Sequence, residues 1–189
     1  DTVFGPFDDY DQDGSFDCEQ NVRFIIPSSQ LKKSGNLVTV SLAYKSTWSF
    51  DSLYIGHKAS SGDVYDFDGN QKRVTFDGGN SGATVGPGGK DSDQIFFNLD
   101  DTKDLILAFY FSTANDIPEK TSTSGYDLWY KNIAVDETPI TDVSAYTQHA
   151  TYTLRRFVKL IVADDALTTP APTTLAPTTV APTTLAATT

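Results

Sequence analysis

Cysteine occurs once in the 189 residues, at Cys18. A single thiol excludes an internal disulfide, so burial and hydrogen bonding must hold the fold. Cys18 is expected to be a buried thiol, with an intersubunit disulfide as the sharper alternative. Histidine is almost as scarce. His57 follows "YIG" at a strand end and His149 lies in the polar stretch "TQHA", and neither has a local partner pattern. There is no G-x-S-x-G elbow, no H-E-x-x-H pair and no P-loop. With 25 acidic residues, two carboxylates facing across a groove carry little information about glycoside hydrolysis. The expectation is a protein that is not an enzyme.

Positive charge is also short. Fourteen Lys and Arg against 25 Asp and Glu leave a net charge of -11 and a pI of about 4.4. No basic patch is available to displace counterions, which argues against a nucleic-acid partner. Long apolar runs are missing as well: "FVKLIVA" at Phe157–Ala163 falls far below the roughly 20 residues of a membrane span. The chain opens at Asp1 with no apolar leader, the start expected once a signal peptide has been removed, though a trimmed chain reads the same. No N-x-S/T sequon occurs, so any sugar is expected to be O-linked. The expectation from these features is an extracellular or cell-surface protein.

What the sequence does hold is a body rich in aromatic residues, with twelve Phe and nine Tyr, and patterned with period two. "NVRFIIP" and "NLVTVSLAYKS" read as strands, the second with Val38, Val40, Leu42 and Tyr44 on one face. "WSFDSLYIG", the short "VYDF" and "KRVTF" follow. The glycine-rich "DGGNSGATVGPGGKDSD" separates them from "QIFFNL". "DLILAFYF" reads as a central strand, apolar on both faces, and "YDLWYKNI" and "TYTLRRFVKLIVA" complete the set. No segment keeps a helical period. The expected fold is all-β: an antiparallel sandwich, jelly-roll-like, over residues 1–166, with a partly closed barrel as the competitor.

Residues 167–189 change composition abruptly. From Thr168 they divide into TTPAP, TTLAP, TTVAP, TTLAA and TT, a five-residue Thr/Pro/Ala repeat. Proline at this spacing removes backbone donors and biases the segment to polyproline II. Paired threonines beside proline are good acceptors for O-linked sugar. The candidates are Thr168, Thr169, Thr173, Thr174, Thr178, Thr179, Thr183, Thr184, Thr188 and Thr189. A linker to a further domain has the same composition.

Three other patterns carry candidate chemistry. Asp9, Asp11, Asp13, Gly14 and Asp17 form D-x-D-x-D-G-x-x-D, and the first nineteen residues hold seven acids and no base. Alternating oxygen ligands around a glycine turn match a calcium loop, with Asp9, Asp11, Asp13 and Asp17 as ligands. Gln20 stands where an EF-hand has Glu, so the loop lies outside that context; a solvated acidic loop is the bland alternative. Asp63, Asp66 and Asp68 form a second acidic cluster before Gly69, read as a hairpin turn rather than a ligand set. Trp48 and Trp129, with Tyr126 and Tyr130, are candidates for a sugar-stacking platform, although aromatics in a sandwich are more often core.

"DSLYIGHKASSGDVYDFDG", "KRVTF", "SDQIFFNLDDTKDLILAFYF" and "TYTLRRFVKLIVAD" together resemble a β-rich module of bacterial and phage surface-associated proteins. With its Thr/Pro repeat, the chain resembles in general plan a subunit of the glycosylated extracellular fibrils of environmental microbes. That resemblance implies a structural role, a saccharide sheath, and self-association as a helical or linear polymer. The alternative is a carbohydrate-binding or adhesion module on a mucin-like stalk.

Overall fold

The structure, a computed structural model, describes residues 1–4, 15–16, 21–44, 47–112, 117–118, 127–149 and 158–163, with the backbone alone at 15–16, 117–118 and 149. Within these residues the protein is all-β, and the strand pairs that build its sheets are antiparallel. The only helical element among them is a single 3-10 turn at Ser28–Gln30.

Two sheets face each other across one core. The first contains β1 (Thr2–Phe4), β4 (Gly35–Leu42), β9 (Lys90–Asp91), β10 (Ile95–Leu99) and β15 (Val158–Ala163), in the order β1-β15-β4-β10 with β9 also on β4. The second contains β3 (Asn21–Ile26), β6 (Ser52–His57), β7 (Lys72–Arg73), β11 (Leu105–Tyr110), β13 (Asp127–Lys131) and β14 (Thr147–His149), in the order β14-β13-β3-β11-β6-β7. Two short ribbons accompany them: β2 (Ser15–Phe16) pairs with β12 (Ile117–Pro118), and β5 (Trp48–Phe50) with β8 (Ala83–Val85).

Period-two alternation sets which side chains meet. On β4, Val38, Val40 and Leu42 point inward and are fully buried, and Tyr44 continues their row past the strand end. On β10, Ile95, Phe97 and Leu99 are buried while Phe96 and Asn98 face outward. β9 and β10 act as one interrupted edge. Between them Ser92 N–H donates to the Val40 carbonyl at 2.9 Å, and the Ser92 hydroxyl accepts the Val40 N–H at 2.9 Å.

β11 is central in the second sheet, paired with β3 and β6 over all six residues. Its two apolar faces go to two different places. Leu105, Leu107 and Phe109 enter the main core, whereas Ile106 and Ala108 join Ile25 and Phe67 on the outer face. Loops from 58–71 and 132–146 cover that outer face. Gly56 permits the cover: a Cβ there would lie 2.5 Å from the Phe67 ring. Glycine inside a strand marks such a close approach.

Two expected strands are shorter than their sequence pattern. "VYDF" contributes one bridge, Phe67 to Lys58, because Asp66 curls the chain into a turn. Its amide donates to the Asp63 carbonyl at 3.0 Å while its carboxylate accepts the Asp63 N–H at 2.8 Å. "KRVTF" forms a strand only at Lys72 and Arg73, with one further bond from the Val74 N–H to the Leu53 carbonyl at 2.8 Å and a bridge from Phe76 to Asn80. Val74 and Phe76, both fully buried, leave the sheet for the core.

Candidate functional site

A cleft of about 430 Å³ opens where β10, at the edge of one sheet, stands beside β7, at the edge of the other. Its lining comes from three distant stretches: His57; Asn70 and Lys72; and Phe96, Phe97, Asn98, Asp100 and Lys103. His57 reaches the cleft because it continues the inward row Leu53–Ile55–His57 on β6. It is 4 % exposed, and its ring packs on Phe97 with 5.0 Å between centroids. Its Nε2 accepts the Asp100 N–H at 3.0 Å, which leaves the proton on Nδ1, 3.9 Å from the Asp68 carboxylate. Burial lowers its pKa, against the opposing pull of Asp68. The imidazole therefore serves as a neutral acceptor that ties the 100–103 loop to β6.

Asp100 holds that loop in shape. Its Oδ1 accepts the N–H and the hydroxyl of Thr102 at 2.9 and 2.6 Å, and these bonds lower its pKa. A second depression of about 310 Å³ adjoins, lined by Lys58, Ala59, Ser60, Asp68, Thr102, Lys103 and Asp104. Lys58 meets Asp104 at 3.3 Å and Lys103 meets Asp68 at 3.8 Å across it. A third, of about 250 Å³, lies beside β9 and is lined by Leu42, Ala43 and residues 87–91.

Elsewhere, among the described residues, two charged side chains are buried, Arg23 and Asp66. Arg23 lies on the outer face of β3 and is fully buried. Its Nη1 donates to the Tyr65 carbonyl at 2.7 Å, and its Nη2 donates to the Glu137 and Ile140 carbonyls at 3.1 and 2.6 Å. The guanidinium carbon sits 4.5 Å from the Phe67 ring centre and 5.6 Å from that of Tyr146. Burial lowers the Arg23 pKa and raises that of Tyr146. Asn21, also fully buried, donates to the Ile133 and Val135 carbonyls at 3.1 and 2.9 Å and accepts the Glu137 N–H at 2.8 Å. Together these two side chains suspend the 132–146 loop over the sheet. Their bonds to the 132–146 loop end on backbone carbonyls and one backbone N–H, so the arrangement positions that loop.

The candidate residues from the sequence fall in different places. Asp9, Asp11, Asp13, Asp17, Cys18 and all ten tail threonines lie outside the described residues, as does Tyr126. Among the described residues no group of three or more His, Cys, Asp or Glu could hold a metal ion. Asp63, Asp66 and Asp68 do not converge. Asp66 is buried and accepts the N–H groups of Asp63 and Val143, Asp63 accepts the Tyr65 hydroxyl, and Asp68 faces His57 and Lys103.

Trp48 requires a correction. It is 2 % exposed, packed among Phe50, Phe109 and Phe111, and offers no face to a sugar, because β5 turns it into the core. Trp129 is half-buried, with Tyr65 at 4.9 Å over its ring. Among the described residues Phe96, at 56 % exposed, is the aromatic ring left open, and sequence reasoning missed it. The strict alternation of "IFFNL" was the available signal, since it turns one of two adjacent phenylalanines outward.

Among the described residues no helix is long and apolar enough to cross a membrane. No protein-family model matches the chain, and no curated protein sequence matches it either.

Proposed function

We propose that the chain is a non-catalytic structural subunit of an extracellular glycoprotein filament. Residues 1–166 form a jelly-roll-like head, and 167–189 form an extended, O-glycosylated connector. The observation that carries this reading is the seating of β15. It lies between β4 and β1, with Val158–Ala163 in continuous register against Leu37–Leu42. Val162 also exchanges both backbone bonds with Asp1, at 2.7 and 2.8 Å. The repeat begins at Thr168, with four residues between it and the end of this strand. A pull on the repeat is therefore met by a strand paired on both sides. Such an anchor suits a subunit that carries tension through its tail.

The chemistry of His57 supports the non-catalytic part, since its Nε2 is occupied by a backbone amide and the ring is almost wholly buried. A repeat with proline every few residues pairs poorly as a strand, so its contacts with neighbours are side-on. Electron microscopy of native material tests the proposal and is expected to show filaments. Monodisperse particles with the bare polypeptide mass of 20.6 kDa would overturn both assembly and glycosylation.

A further inference from the structure

The cleft between β10 and β7 has no part in the filament reading. We propose that it binds a saccharide, with the Phe96 ring as the stacking face and Asn70, Asn98 and Asp100 as partners for its hydroxyls. The inference does not depend on the chain forming filaments.

Four observations converge on this ligand class. Phe96 is 56 % exposed at the rim of a cleft whose other exposed lining residues are polar or charged. A pyranose matches that mixture, because one ring face presents C–H groups while the periphery presents hydroxyls. Asn70 and Asn98 each offer a side-chain amide, donor and acceptor in one group, without a hydrogen-bond partner among the described residues. The Asp100 carboxylate is oriented through one oxygen by Thr102, which leaves Oδ2 to accept from a hydroxyl. The volume of about 430 Å³ also lies within the range of about 300–1,000 Å³ usual for small-molecule sites.

The floor joins β6 to β10 and the loop that follows it. His57 packs against Phe97 and accepts the Asp100 N–H, contacts that favour a preformed floor. Lys72 and Lys103 flank it, in a chain of net charge -11, and Lys72 has no ion-pair partner among the described residues. A sugar bearing a carboxylate or sulfate is therefore favoured over a neutral one.

The saccharide has two possible sources, O-linked sugar on another copy's repeat or a foreign polysaccharide. Calorimetric titration of the full chain with a neutral hexose oligomer and a hexuronate oligomer tests the site. Binding is expected, tighter for the hexuronate. Phe96→Ala is expected to weaken it about fivefold to tenfold, with Asn98→Ala as a second, independent variant. Val135→Ala, another exposed apolar position, is expected to leave it unchanged. Removing O-glycans from native chain distinguishes the sources. Stronger uptake of added sugar afterwards identifies the chain's own glycans, unchanged uptake identifies a foreign one, and both results uphold the site. No binding of either oligomer at millimolar concentration, or wild-type affinity in both Phe96→Ala and Asn98→Ala, would overturn it. Filaments seen by microscopy would stand in either case.

Discussion

Arg23 is the residue on which one face of the protein depends. Its planar fork spans three carbonyls contributed by two loops, a geometry that a lysine ammonium cannot match. Arg23→Met would keep apolar volume but strand those carbonyls in a dry environment. It is expected to lower unfolding free energy by about 3–5 kcal/mol, read from urea denaturation. His57 makes a different prediction. Burial holds its folded pKa below the unfolded value of about 6.5. The unfolded chain then binds the proton more readily, so the stabilisation is complete above that pH and declines as pH falls toward the folded pKa. Asp68 and Asp100 favour the charged form and Lys103 opposes it. Urea midpoints between pH 5 and 8 should show this slope, and His57→Gln should flatten it. A slope unchanged in the variant would assign the effect to other groups. Neither role was legible from sequence. "NVRFII" shows an arginine in a strand but not the loops, more than forty and more than a hundred positions away, that bury it.

At the scale of elements, local pattern carried further. The inward row of β4, the outward turn of Phe96 on β10 and the two-faced burial of β11 all follow from alternation. "VYDF" and "KRVTF" show where alternation misleads. In "VYDF" Val64 is exposed while Tyr65 and Phe67 are buried by loop packing, because the Asp66 side chain takes the Asp63 N–H and closes a turn. In "KRVTF" Val74 and Phe76 are buried in the core. The cleft was beyond reach for another reason: its lining residues come together only through the meeting of two sheet edges, and no local spacing encodes that. Gly56 marks the contact between β6 and the loop above it. Gly56→Val would drive into the Phe67 ring and displace it from Arg23. A loss of about 2–3 kcal/mol is expected, with the Phe67 ring resonances shifted in NMR spectra. Wild-type stability in this variant would show that the loop can lift without consequence.

For the whole molecule, calcium is the remaining expectation to measure. Titration at low salt should show heat of binding from Asp9, Asp11, Asp13 and Asp17, and a silent titration at millimolar ion would remove the ion from the description. The seating of β15 has one more consequence, and it concerns time. Its Val162 bonds Asp1, 161 positions away, and its other neighbour, β4, lies in the first quarter of the chain. A ribosome delivers the chain from one end at about 5–20 residues per second, so β4 emerges several seconds before the strand that belongs beside it. Until then its long edge is exposed, and no early part of the head can complete its core. Folding is accordingly expected to be a single late closure, slow because its decisive contacts are remote in sequence. The interval before closure is when the nascent chain most needs protection from pairing with its neighbours.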